Sequence, residues 1–382
     1  MEIRNINKGL VLRTIEKNGS ISRAEIGKII GLTPPTVSDI VKDLIERGIV
    51  REIGKGDSSG GKKPILLKIN SKAAYMIAVD LGGENGIRVA LMDLSYNLVN
   101  EKLGPKIESL NSQKLKNSLS VILKDFIKEI NISKEKILSI CIGVPGIVNL
   151  KLKKVTVAPY LNWEIALDEL ALKEIGIPIA LENDVNLMAL GEKTKGIAQK
   201  INNFVFVGER TGIGAGIIIN RKLYKGANNA AGEAGYLLID PKYVPKNSRD
   251  YGCLEKLASY KIIVEKMKKK TGKNVRVIDV FKIAAEGDSV ALGIVKEALK
   301  FLAYGIGNIS CVLDPELVII GGGISILPKQ FLEEIKINIQ EIIPFVPKIE
   351  FSKLGEDGVL IGAAAKVLEP LKKKGVILIN SK

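Results

Sequence analysis

Residues 22–41 read Ser22-Arg23-Ala24-Glu25-Ile26-Gly27-Lys28-Ile29-Ile30-Gly31-Leu32-Thr33-Pro34-Pro35-Thr36-Val37-Ser38-Asp39-Ile40-Val41. Ser22 followed by Glu25 is a capping-box pattern, in which hydroxyl and carboxylate satisfy the free N–H groups at a helix start. Ile26, Ile29 and Ile30 then form one apolar stripe. Gly31 stops this helix, and Leu32 can plug the turn. Thr33 is placed to cap a second helix, with Pro34 at its first position, where a missing N–H costs nothing. Val37, Ile40, Val41, Leu44 and Ile45 recur at helical spacing, so one face is core and the opposite one carries Thr36, Ser38, Asp39 and Lys42. Gly48 ends the helix. Two short helices joined by a tight glycine turn, the second with a polar N-terminal face, form a helix-turn-helix.

On the N-terminal side, Lys8 to Lys17 reads as an earlier helix that gives Leu10, Val11 and Ile15 to the same core. On the other side, Ile49–Ile53 and Ile65–Ile69 flank the run Gly54-Lys55-Gly56-Asp57-Ser58-Ser59-Gly60-Gly61-Lys62-Lys63-Pro64. That is a β-hairpin with a basic tip, the wing of a winged helix. Gly and Ser let the tip approach a DNA backbone, and Lys55, Lys62 and Lys63 would neutralise phosphates. Thr33, Thr36, Ser38 and Lys42 would face the major groove. The competing reading is a small protein-interaction domain with a solvated Lys loop. Helix pair, polar face and basic wing agree on DNA binding, which we assign to residues 1–71.

The chain has 382 residues, 57 Lys and Arg against 42 Asp and Glu, and no histidine. The first seventy residues hold 13 Lys and Arg against 8 Asp and Glu, a charge density about twice that of the remainder. Such a balance suits nucleic acid. The absence of histidine removes the usual general base near neutral pH and the commonest metal ligand, leaving carboxylates, Lys, Tyr or Cys for any catalysis. Cys141, Cys253 and Cys311 are scattered without a CxxC pair, against a disulfide frame or a Cys-only zinc site. No apolar stretch has the length of a membrane span and the start lacks a signal-peptide core, so a cytoplasmic protein without membrane partners is expected.

From about Ala73 the texture becomes strands alternating with helices, an α/β pattern. Met76–Val79 runs into Asp80-Leu81-Gly82-Gly83, and Ile87–Leu91 makes a hairpin with it. Leu138–Ile142 leads to Gly143-Val144-Pro145-Gly146, and Ile177–Leu181 to Glu182-Asn183-Asp184. Phe204–Val207 leads to Gly208-Glu209-Arg210-Thr211-Gly212-Ile213-Gly214-Ala215-Gly216, and Leu317–Ile320 to Gly321-Gly322-Gly323. Helical patterns lie between, as at Leu115–Ile130 and Ala291–Ile309. Glycine or acid turns at the carboxyl ends of apolar strands are where such folds bind ligands. No GxxxxGK[ST] run occurs, and the Gly212 to Gly216 run has the wrong spacing and is followed by a strand, so neither a P-loop nor a dinucleotide fingerprint is present. A glycine turn after a strand, occurring twice, points instead to the paired phosphate hairpins of a two-lobed actin-like or hexokinase-like ATPase fold.

Taken together these motifs resemble the ROK family (repressors, open reading frames and sugar kinases), and within it the winged-helix transcriptional regulators. The resemblance covers nearly the whole chain. It rests on the helix-turn-helix, the Gly60-Gly61-Lys62-Lys63-Pro64 wing, the strand series, Glu182-Asn183-Asp184-Val185-Asn186, Gly232-Glu233-Ala234-Gly235, Gly252-Cys253-Leu254-Glu255 and Leu313-Asp314-Pro315. It implies residues 72–382 as one kinase-like domain of two lobes. It also implies Asp184 as the base on a sugar hydroxyl in kinase members, with Asn183, Glu233, Tyr236 and Glu255 around the sugar. Bottom-up, carboxylate and amide groups converging in a cleft suit a polyhydroxylated ligand, whereas the bland alternative is a hydrated surface turn. Asp80, Gly82 and Gly83 match the first phosphate turn, and Thr211, Gly212 and Gly214 the second.

Two departures from the family pattern bear on function. Glu84 stands where kinases carry a threonine after the two glycines, placing a negative charge beside a triphosphate, so ATP is not expected as a cofactor. The family's zinc site is also depleted. Tyr236 takes the place of its histidine, Lys246 and Ser248 those of two cysteines, and Cys253 alone remains, so no zinc is expected. The reading is a sugar-responsive DNA-binding regulator, a repressor of carbohydrate-utilisation genes. It would act as a homodimer on double-stranded operator DNA, with an effector sugar in a degenerate kinase cleft. The alternative is an ATP-dependent kinase of a hexose or amino sugar that also binds DNA.

Overall fold

The computed structural model describes residues 2–56, 63–83, 86–106, 112–149, 154–157, 173–210, 212–247 and 250–375. Its first helix, α1 (Glu2–Asn18), begins well before the apolar repeat does, because its early turns leave Ile3 and Ile6 exposed and show no core periodicity. After β1 (Ile21–Ser22) comes α2 (Arg23–Ile30), and the capping box is formed: Ser22 Oγ accepts from the Glu25 N–H (3.3 Å) and Glu25 Oε2 from the Ser22 N–H (2.9 Å). Gly31 ends α2 at φ +70°, the left-handed region that a side chain resists. In α3 (Pro34–Glu46), Thr33 holds the cap position without bonding a backbone N–H, its hydroxyl meeting that of Thr36 at 2.8 Å instead. Val37, Ile40, Val41 and Leu44 are buried as their spacing requires. The wing is β2 (Val50–Lys55) paired with β3 (Ile65–Ile69), and β1 extends the sheet on the far side of β3. The wing tip at 57–62, with Lys62, lies outside the described residues.

Two sheets of the same plan follow. In the first, β4 (Tyr75–Asp80), β5 (Arg88–Asp93) and β6 (Leu98–Leu103) form an antiparallel meander. A crossover through α4 (Ser112–Glu129) returns β7 (Ile137–Val144) parallel to β4. A small hairpin, β8 (Ile147–Asn149) and β9 (Lys154–Val157), precedes β10 (Ile179–Asn183), which is parallel to β7. The helix α5 (Asp184–Thr194) then leads to the second sheet.

That sheet repeats the plan, with a meander of β11 (Phe204–Glu209), β12 (Ile213–Ile219) and β13 (Lys222–Tyr224). The helices α6 (Cys253–Ala258), α7 (Tyr260–Thr271), α8 (Val277–Ala285) and α9 (Ser289–Leu313) cross over to β14 (Leu317–Gly322), parallel to β11. Finally α10 (Gln330–Gln340), β15 (Lys348–Phe351) and α11 (Asp357–Lys373) complete the described chain. The strand orders, β10-β7-β4-β5-β6 and β13-β12-β11-β14-β15, are equivalent. The carboxyl ends of β4, β10, β11 and β14 carry Asp80, Asn183, Glu209 and Gly322.

Between the sheets, α5 and α11 lie against each other closely enough to need glycine. A Cβ at Gly362 would sit 1.8 Å from the Leu187 carbonyl oxygen, and one at Gly191 would sit 2.4 Å from that of Gly358. One buried apolar cluster runs without a break from Val11, Leu12 and Ile15 of α1, through Ala73, Met76 and Leu94, to Leu360, Ala364 and Leu368 of α11. The DNA-reading domain therefore shares a core with the lobes.

Candidate functional site

Among the described residues, Arg210 gathers the buried carboxylates of the cleft around its guanidinium. Arg210, at the end of β11, has its side chain 3% exposed and is surrounded by carboxylates from both lobes. Its Nη1 donates to Asp80 Oδ1 (3.0 Å) and Asp184 Oδ2 (3.1 Å), and its Nη2 to Asp80 Oδ2 (2.7 Å) and Glu356 Oε2 (2.7 Å). Burial works against the charge of Arg210, but Asp80, then Glu356 and Asp184, hold it well above its ordinary pKa. For Asp184, burial is the larger influence: its pKa is pushed up to about 6, with Arg210 pulling it down and Asp80 pushing it further up. The other Asp184 oxygen accepts from the Val185 N–H at 3.0 Å, so both are engaged.

The first glycine turn is filled from within. The Gly82 N–H donates to Asp80 Oδ1 at 2.9 Å, and a Cβ on Gly82 would lie 2.6 Å from Asp184 Oδ2. Glu84 and Thr211 lie outside the described residues. Gly212 faces the carboxylate of Glu255, 2.4 Å from where its Cβ would be. Gly214 is inside β12, where it packs against Val185, rather than in the turn to which the sequence pattern assigned it.

Beside Asp184 lies a second acidic group. Burial, then Glu255 and Asp184, push Glu233 up to about 7. Burial, then Glu255 and Glu233, push the Tyr236 phenol up to about 12. These mutual influences place Asp184, Glu233, Tyr236 and Glu255 in one electrostatic neighbourhood. Among the described residues the buried Tyr236 hydroxyl has no hydrogen-bond partner, as a group suited to a ligand would. Glu255 is partly committed, accepting from the N–H groups of Gly252 (3.0 Å) and Ile213 (3.2 Å). Asn183 is committed further: its Oδ1 caps α5 through the Asn186 N–H (3.0 Å), and its Nδ2 donates to the Gly146 carbonyl (3.2 Å). A cavity of about 470 Å³ opens beside the arginine cluster, lined by Gly83, Arg88, Glu101, Gly323 and Glu356.

The donors do not suit zinc. Cys253 Sγ sits among backbone groups, accepting from the Ile239 N–H at 3.3 Å, and a phenol held near 12 is a poor ligand. Ser248 lies outside the described residues. In the DNA-reading domain, Thr33, Ser38, Lys42, Lys55 and Lys63 are exposed and Thr36 half-buried.

The ROK family model matches residues 76–369 of this chain. The chain belongs to the ROK family. A winged helix-turn-helix DNA-binding model matches residues 4–51. The xylose repressor of Caldicellulosiruptor bescii is 33% identical over 387 residues, covering 97% of each protein. Among solved structures, a ROK family transcriptional regulator, a homolog of the Escherichia coli MLC protein, superposes with a TM-score of 0.81 at 25% identity over 98% of each chain. A ROK glucokinase from Streptomyces griseus, solved with glucose and AMPPNP, has a TM-score of 0.69 at 22% identity, spanning 78% of this chain and 100% of its own. The fold is thus a winged helix-turn-helix followed by a two-lobed actin-type ROK domain.

Arg210 is the residue the sequence reading passed over. It stands in the quoted run Gly208-Glu209-Arg210-Thr211-Gly212, and an acid–arginine pair between a buried strand and a glycine turn was the available signal. Glu182, the first residue of the quoted Glu182-Asn183-Asp184 motif, is engaged by Lys225 and Lys366 (2.6 Å), which hold its pKa low against burial.

Proposed function

We propose that this ROK protein is a sugar-responsive transcriptional repressor whose kinase-like cleft receives the effector and transfers no phosphate. The observation that carries this reading is Arg210. A kinase needs Asp184 free to take a proton and the first glycine turn free to hold phosphates. Here one buried guanidinium occupies both, and Asp80 and Glu356 add negative charge beside the place of a triphosphate. Asp184, Glu233, Tyr236 and Glu255 remain a polar wall suited to hydroxyl groups. The output is the exposed N-terminal face of α3 with the wing, and operator DNA is its partner.

The sugar would bind one arrangement of the lobes better than another, and it can weaken operator binding only by that difference. A homodimer joined through the ROK domain would set the half-site spacing on a pseudo-palindromic operator. The cytoplasm suits such a protein, and among the described residues no helix is long and apolar enough to cross a membrane. The elevated Asp184 favours a residual kinase as the second reading, because a general base works best near ambient pH.

The test is a gel-shift with duplex DNA from upstream of the gene, in low salt, with a panel of free hexoses, pentoses and amino sugars. Retardation released by one sugar is expected, with no phosphate transfer from ATP to any of them. Turnover at kinase rates of roughly 1–100 s⁻¹, lost in Asp184→Asn, would overturn the receptor reading.

A further inference from the structure

Helix α11 starts in the cleft and ends on the DNA-reading domain. Glu356, directly before it, accepts from Arg210 Nη2 at 2.7 Å, and Asp357, its first residue, accepts from Arg88 Nη2 at 2.7 Å. Fifteen residues beyond Asp357 and about 23 Å along the axis, its last turn carries Lys372. The Lys372 side chain is 4% exposed, and its ammonium pairs with Glu16 of α1. The same ammonium donates to the Leu94 carbonyl (2.8 Å) and the Tyr96 hydroxyl (3.0 Å), the two groups lying just past the end of β5. Contact with α1 is direct, since a Cβ at Gly9 would lie 2.3 Å from the Lys373 carbonyl oxygen.

Between these ends the helix cannot easily yield. It lies on α5, whose first residue is Asp184, with the close approaches of Gly362 to Leu187 and of Gly191 to Gly358 leaving no slack. Pro370 removes one rung of the backbone ladder, but the Lys374 N–H to Pro370 carbonyl bond (3.1 Å) ties the last turn on. Close-packed elements of this kind move as bodies rather than deform. A displacement at Glu356 therefore reaches Lys372, where a buried charge cannot leave its partners without a large cost.

We infer that α11 is the element through which the cleft and the DNA-reading domain sense each other, with Arg210–Glu356 as its input contact and Lys372–Glu16 as its output. The inference takes from the receptor reading only the identity of what enters the cleft. A ligand that draws Asp184 or Arg210 toward itself loosens or tightens Glu356, and α11 carries the change to α1, which braces α3.

The test is a double-mutant cycle on the full chain that needs neither sugar nor operator. Glu356→Gln is made at one end and Lys372→Met at the other, and amide exchange of α1 is followed by mass spectrometry. Affinity for a DNA duplex is measured in parallel by anisotropy. Because Glu16 is more exposed than Lys372, Glu16→Gln gives a second, milder variant at the output end should Lys372→Met not fold. Distant substitutions normally add. The expected result is that Glu356→Gln speeds exchange of α1 by about threefold or more in the wild-type background and has no such effect once Lys372 or Glu16 is changed. Additive effects, or faster exchange spread evenly over the β14 lobe, would overturn the inference. A separate titration of the folded wild type with the same panel of free hexoses, pentoses and amino sugars reports on the receptor reading, so the two can fail independently.

Discussion

Replacing Arg210 by Met keeps most of the side-chain volume and removes the only described cation inside the cleft cluster. Asp80, Asp184 and Glu356 are then left facing one another, the first two with side chains at most 3% exposed. Breaking a buried ion pair by deleting one partner costs about 3–5 kcal/mol, and the lower end applies here because Glu356 is 40% exposed. With an unfolding entropy of about 2.1 cal/mol/K per residue, that corresponds to a Tm lower by roughly 4 °C in calorimetry. The loss should depend on pH in one direction. Without Arg210, burial, Asp80 and Glu356 all push Asp184 above its present value of about 6. An acid whose folded pKa is raised keeps its proton where the unfolded chain has released it, so the penalty grows as pH rises above the unfolded value and is complete above the folded one. The gap between wild type and variant should therefore be widest near pH 8 and narrow toward pH 5. A variant as stable as the wild type at pH 8, or a gap that widens on acidification, would refute the ion-cluster account of the cleft.

Glu233, held at about 7 by burial, Glu255 and Asp184, takes stability away as pH rises from its unfolded value toward neutrality. Glu233→Gln should remove that decline and raise Tm at pH 8 while weakening sugar binding in calorimetric titration. Lys42→Ala on the exposed face of α3 should leave Tm unchanged, weaken DNA binding, and reduce the slope of log affinity against log salt by about one. At the crossing of α5 and α11, Gly191→Ala puts a methyl group 2.4 Å from the Gly358 carbonyl oxygen, and forced separation of packed elements costs about 1–3 kcal/mol. A Tm within about 1 °C of wild type would mean the two helices have room that the structure denies them.

The parts of the fold that were legible are those written in local spacing. Ser22 and Glu25 sit three residues apart and do cap α2. Val37, Ile40, Val41 and Leu44 repeat at helical spacing and are buried. Asp80, Asn183 and Glu209 follow apolar runs and do stand at strand ends. The errors are also local in origin. The first turns of α1 carry no apolar repeat, and Gly214 satisfies a turn pattern but is required by the close approach of Val185. The Thr33 hydroxyl has a neighbour in Thr36 that competes with the backbone for it.

What stayed hidden is the pairing of buried charges, because no periodicity records it. Arg210 and Asp80 are 130 positions apart, and Lys372 and Glu16 are 356 apart. Desolvating a guanidinium or an ammonium costs several kcal/mol, which guarantees that partners exist without saying where in the chain they lie. The identity of the partners is nonetheless constrained by chemistry. An arginine buried between a strand and a glycine turn needs carboxylates within reach, and the acids at the neighbouring strand and helix ends are the groups able to receive it. Asp80 and Asp184 both belong to motifs legible in the sequence, whereas their contact with Arg210 is not. The buried arginine beside this glycine turn is thus the observation that supports the proposed receptor reading of the cleft over a catalytic one.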